Sequence, residues 1–94
     1  MEHFLIDNYK NLPINPETGL LILENGDETQ YFKNNNNEFI ERTEKKDIPY
    51  TIVKVFHENL SLFTKGEEFY NFAVGVYKEY DKIGNLIKEK ITLQ

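Results

Sequence analysis

Ninety-four residues with 39% hydrophobic content make one small domain, residues 1–94, and a chain of this size buries roughly 60–65% of the surface its unfolded form exposes. The absence of cysteine removes disulfides and thiolate metal sites and points to a reducing cytoplasm. The net charge of −5 is uneven, with ten acids against five bases in residues 1–47 and six of each in residues 48–94, so no basic stripe is offered to a nucleic acid.

Seven Phe and six Tyr, together with Ile, Val and Leu, favour pleated sheet over an Ala-rich helical bundle. The only apolar run near the start, Phe4-Leu5-Ile6, is too short for a secretory signal. No run approaches the roughly 20 residues that cross a bilayer, so no membrane association is expected.

In chain order, Met1 to Lys10 is open between a short helix, with Phe4, Leu5 and Tyr9 on one side, and a cap on a sheet edge. Asn11 to Gly19 carries Pro13 and Pro16 and reads as a loop. Leu20-Leu21-Ile22-Leu23-Glu24, Asn25-Gly26 and Asp27 to Phe32 read as a hairpin closed by a type I′ turn, since Asn-Gly accepts the positive φ that this turn requires. Asn34 to Asn37 closes a second turn before Phe39-Ile40, because Asn tolerates the left-handed region. Thr43 to Asp47 is a charged connector that ends at Pro49.

Tyr50 to His57 is almost continuously apolar, aromatic or β-branched and is the expected sheet centre, covered on both faces. A hairpin is expected around Lys65-Gly66, between Leu60–Thr64 and Glu67–Tyr70. Beyond it Tyr70, Phe72, Val74 and Val76 alternate with Asn71, Ala73 and Gly75, which places the large residues toward a core. The last hairpin pairs Val76–Asp81 with Leu86–Leu93 across Lys82-Ile83-Gly84-Asn85, with Ile87, Ile91 and Leu93 keeping one face apolar. The fold class that follows is all-β: one antiparallel meander of six to eight short strands, as a sheet or partly closed barrel, with Met1–Lys10 the one place for a short helix.

Candidate chemistry is sparse. Ser61 is the sole serine and lacks a Gly-x-Ser-x-Gly elbow. His57 and Glu58 point to opposite faces of a strand, and His3 is remote in sequence, so neither a metal site nor a general base is built. No glycine opens a helix in a phosphate-binding pattern, so no cofactor is expected and the chain does not read as an enzyme. Tyr31, Phe32, Phe39, Phe63 and Phe69 exceed what one small core absorbs, which leaves one or two as exposed anchors for a partner. The acidic balance suits a basic protein partner.

The stretch Gly75-Val76-Tyr77-Lys78-Glu79-Tyr80-Asp81-Lys82-Ile83-Gly84-Asn85-Leu86-Ile87-Lys88-Glu89 resembles the unit of bacterial MORN-variant repeat proteins, and it is similar to the tyrosine–aspartate repeats of Rhs proteins. Leu20 to Phe32 resembles a second, degraded unit, so about 30 residues carry the likeness. Antitoxins occur among such proteins, and the resemblance implies an immunity or antitoxin protein that covers the active site of a cognate toxin. Glu24, Asp27 and Glu28 would offer carboxylates to the toxin's Arg or Lys, with Tyr31, Glu67 and Glu68 extending the contact. The competing readings are a protein-interaction module with no toxin partner, a ligand carrier, and a self-assembling sheet opposed by Lys88 and Lys90 on its last strand.

Overall fold

Among the described residues, seven strands lie side by side in the order of the chain: β1 (Leu20–Ile22), β2 (Glu28–Lys33), β3 (Phe39–Glu44), β4 (Tyr50–Phe56), β5 (Leu62–Phe69), β6 (Phe72–Tyr80) and β7 (Leu86–Thr92). The computed structural model describes residues 2–4 and 20–92. Every pairing of neighbouring strands is antiparallel, and among the described residues the sheet is open, with β1 and β7 as its outermost strands. The all-β meander expected from the aromatic and β-branched content is thus present, as an open sheet and not a barrel. Among the described residues there is no helix, so none long and apolar enough to cross a membrane. The expectations for residues 5–19, and the role given to Leu93, lie outside the described residues.

One loop geometry recurs four times, and it explains how so short a chain reverses so often. In each case the first residue donates its N–H to the carbonyl of the fifth and accepts from the N–H of the fourth: Leu23–Asp27, Asn34–Glu38, His57–Ser61 and Asp81–Asn85. The fourth residue is left-handed each time: Gly26 (φ 91°), Asn37 (φ 61°), Leu60 (φ 72°) and Gly84 (φ 94°). This is a type I turn followed by a left-handed residue, the three-residue hairpin loop. Polar side chains hold it. Asp81 Oδ1 accepts from the N–H groups of Ile83 and Asn85, and Asn34 Oδ1 accepts from Asn36 and Glu38. Asn25 and Asn59 act two residues before the loop's end, accepting from the N–H of Asp27 and Ser61.

The Asn25-Gly26 turn is therefore not type I′. Only Gly26 is left-handed there, because the Asn25 carboxamide folds back onto the Asp27 N–H, at 3.0 Å, and stabilises the longer loop. The type I′ geometry occurs instead at Tyr70-Asn71, where both residues have positive φ (52° and 67°) between the paired Phe69 and Phe72. The expected hairpin at Lys65-Gly66 is absent. Those residues run through the middle of β5, and the chain reverses at His57–Ser61 and at Tyr70-Asn71.

Because strand residues alternate between faces, the register sorts the sheet into two sides. The near face carries Thr29, Tyr31, Phe39, Thr43, Phe56, Leu62 and Tyr80, and the N-terminal residues lie on it. There the Phe4 N–H donates to Leu60 O and Glu2 O accepts from the Leu62 N–H, while His3 bridges to Ser61. Phe4, Phe56 and Leu62 are the buried centre, with Tyr31, Phe39, Leu60 and Tyr80 packed around them. The core thus sits over β2–β6 at one end of the near face. Leu60 takes up a left-handed backbone that most residues avoid, and its side chain reaches this cluster. Strand β4 is central in the sheet order, yet only Thr51 and Phe56 along it are buried, so it is half covered and not enclosed. The alternating large residues of β6 do not reach a core either: Phe72 is 66% exposed and Val76 38%.

Candidate functional site

The acidic residues of the first hairpin divide by role. Asp27 is buried, and it fastens the β1–β2 loop to the β3–β4 loop. Its carboxylate accepts from the Lys46 N–H at 2.9 Å, from Lys45 Nζ at 3.1 Å and from Asn25 Nδ2 at 3.2 Å. The Lys46 N–H, then the Lys45 ammonium and Asn25, hold this carboxyl below its ordinary value against the effect of burial. Asp27 is consumed by structure. Glu24, one residue into the same loop, is exposed.

Glu28 is exposed on the far face and stands directly opposite Glu44 of β3. Neighbours directly opposite on antiparallel strands have their Cβ atoms about 4.5–5.5 Å apart, and like charges in that relation are destabilising. Arg42 sits on the same face two residues away. Its Nη2 lies 2.9 Å from Glu68 Oε1, and its Nε lies 3.7 Å from Glu44 Oε1. Arg42 therefore spans β3 to β5 and leaves Glu28 with no cation within ion-pair distance among the described residues. Leu20, Glu28, Gln30, Arg42 and Glu44 line a shallow depression of about 230 Å³. Ile22, opposite Glu28 on β1, is 66% exposed, and Phe32, further along β2 on the same face, is 41% exposed.

The remaining predicted contacts lie elsewhere. Tyr31 is on the near face in the aromatic cluster, its ring 6.1 Å from that of Phe4, and burial followed by the charge of Glu41 raises its hydroxyl above the ordinary value. Glu67 is also on the near face, and its carboxylate, followed by burial, raises the Tyr50 hydroxyl above its ordinary value. Glu68 is occupied by Arg42. Of the proposed aromatic anchors, Phe39 stacks on Phe4 at 4.6 Å and Phe63 on His57 at 4.3 Å, while Phe32 and Phe69 are the exposed ones. The far-face group thus keeps Glu28 from the predicted set and adds Glu44, Arg42 and Ile22, with Glu24 exposed on the adjoining loop. Sequence alternation assigns Glu44 to a side of its own strand, but only the register shows that it meets Glu28.

The residues considered for catalysis are held by the fold. Ser61 is fully buried and donates its hydroxyl to Asn59 Oδ1 at 2.7 Å. The His57 Nε2 lies 2.8 Å from the Tyr80 carbonyl, which makes that nitrogen the donor and ties the β4–β5 loop to the end of β6. Among the described residues, no group of three His, Asp or Glu is placed to hold a metal ion. Comparisons with family models, with curated proteins and with solved structures find no match for this chain.

Proposed function

We propose that this domain is an immunity or antitoxin protein that binds a basic toxin and covers its active site, using the far face of β1–β3. The observation that carries this reading is the exposed pair Glu28 and Glu44, held opposite each other at a cost in stability and flanked on the same face by exposed Ile22 and Phe32. A basic partner would relieve that repulsion, and the apolar flanks supply the dry contact that an interface core needs. The excess of acid in residues 1–47 would steer a cationic partner toward this end of the sheet. Mechanistically, Glu24, Glu28 and Glu44 would occupy Arg or Lys side chains with which the toxin binds its own anionic substrate.

The test is co-purification with the product of the adjacent upstream gene, followed by growth of cells expressing that product with and without this chain. A stable one-to-one complex together with restored growth supports neutralisation. A product that is neither toxic nor bound removes the reading.

A further inference from the structure

The near face carries a row of charges that the far-face reading does not use. Glu41 is opposite Lys54, Lys54 opposite Lys65, Lys65 opposite Lys78, and Lys78 opposite Glu89, so three lysines occupy adjacent register positions on β4, β5 and β6. Adjacent like charges in this relation oppose folding. Lys54 is neutralised by Glu2, at 2.8 Å, but Lys65 and Lys78 make no ion pair among the described residues.

The row depends on an irregularity in the sheet. Glu67 pairs with Val74, and continuing that register would set Lys65 against Val76. Between them β6 gains two residues over β5, and Lys65 meets Lys78. Gly75 makes this possible. It is left-handed at φ 66°, and a Cβ there would run into the Glu67 carboxylate. Bulges of this kind commonly re-aim a side chain beside a functional site.

Lys65 and Lys78 line a groove of about 440 Å³, within the range of small-molecule sites, with Leu62, Val76 and Tyr80 as its apolar wall. Of its two carboxylates, Glu2 is paired with Lys54, and Glu67 lies at the Gly75 end of the groove, where a Cβ on Gly75 would meet its Oε2. We propose that this groove binds a small organic anion, its carboxylate or phosphate head between Lys65 and Lys78 and its apolar body against Leu62, Val76 and Tyr80. The head relieves the lysine repulsion, and the body covers Val76, the exposed part of the wall.

The full-length chain, labelled with ¹⁵N, is titrated with octanoate and with octyl phosphate, and separately with octanol and inorganic phosphate. The expected result is saturable shifts centred on Lys65, Val76, Lys78 and Tyr80 with either amphiphilic anion, weakened by added salt. Octanol and inorganic phosphate should each bind at least about tenfold more weakly, since each keeps only one of the two contributions. The double variant K65Q/K78Q should lose about tenfold or more in anion affinity while its melting temperature is unchanged or higher, because a repulsion has been removed. Octanol binding as well as octanoate, salt-independent binding, shifts centred outside the groove, or undiminished binding by the double variant would each overturn the assignment.

Discussion

Phe4 tests whether the three residues laid across the sheet are part of the core or a decoration on it. Its side chain is 6% exposed, and its ring lies 4.6 Å from Phe39, 5.3 Å from Phe56 and 6.1 Å from Tyr31. Truncating such a side chain removes its transfer free energy and leaves a cavity, so Phe4→Ala should cost about 3–5 kcal/mol. A domain of 94 residues has a total stability of only about 5–14 kcal/mol. The loss should therefore lower the melting temperature by about 12–40 °C, at about 4–8 °C per kcal/mol. Urea unfolding followed by near-ultraviolet circular dichroism gives the free-energy change, and Phe32→Ala on the far face is the control, with an expected cost below about 1.5 kcal/mol. A loss below about 1 kcal/mol in Phe4→Ala, or one equal to that of Phe32→Ala, would mean that the aromatic cluster does not hold the sheet together.

Four other outcomes follow from the same geometry. Asp27 and Asp81 are held below the ordinary carboxyl value, chiefly by backbone N–H groups of Lys46 and Asn85. The stability they contribute is present above an unfolded value of about 3.9 and is lost as pH falls through their folded values, so the urea midpoint of D27N/D81N should vary less with pH below about 4 than that of the parent. Glu41 is shifted the other way, first by burial and then by Glu2, partly offset by Lys54. Its ionisation therefore opposes folding at neutral pH, and E41Q should be at least as stable as the parent at pH 7 and gain less on acidification toward pH 5 in the same assay. Asn37→Gly should raise stability by about 0.5 kcal/mol by relieving the left-handed strain at φ 61°, a gain read from the urea midpoint. Arg42→Gln should cost less than about 1 kcal/mol, because its ion pairs to Glu44 and Glu68 are partly exposed, and added salt should narrow the difference from the parent.

The architecture was largely readable because its signals are local. Alternation along β6, the β-branched density of β4 and the Gly-bearing reversals near residues 26 and 84 each reside within a few positions. Gly66 misled for the opposite reason. Glycine marks a turn in isolation, but here it serves β5 where the Tyr77 ring crosses close by, a contact made only when β6 folds back. Leu60 carries no turn signal at all, since a leucine enters the left-handed region only because packing against the Phe4 cluster compensates it. The acidic hairpin was legible as composition, but the separation of buried Asp27 from exposed Glu28 depends on Lys45 and Lys46 arriving from the next loop. The lysine row was hidden altogether. Lys54, Lys65 and Lys78 become neighbours only through the strand register and the extra residues at Gly75, neither of which composition encodes.

The most direct test of the proposed function is the affinity of this chain for the adjacent gene's product, measured by titration calorimetry with the parent and with E28K/E44K, with K88E on the distant β7 edge as control. E44K also replaces the Arg42–Glu44 pair, at 3.7 Å, with a like-charge contact, so a small loss of stability is expected, and circular dichroism at the assay temperature checks that all three chains are folded. Tight one-to-one binding is expected of the parent and of K88E, with a loss of about a hundredfold or more in E28K/E44K. Equal binding by the parent and the charge-reversed pair would contradict it.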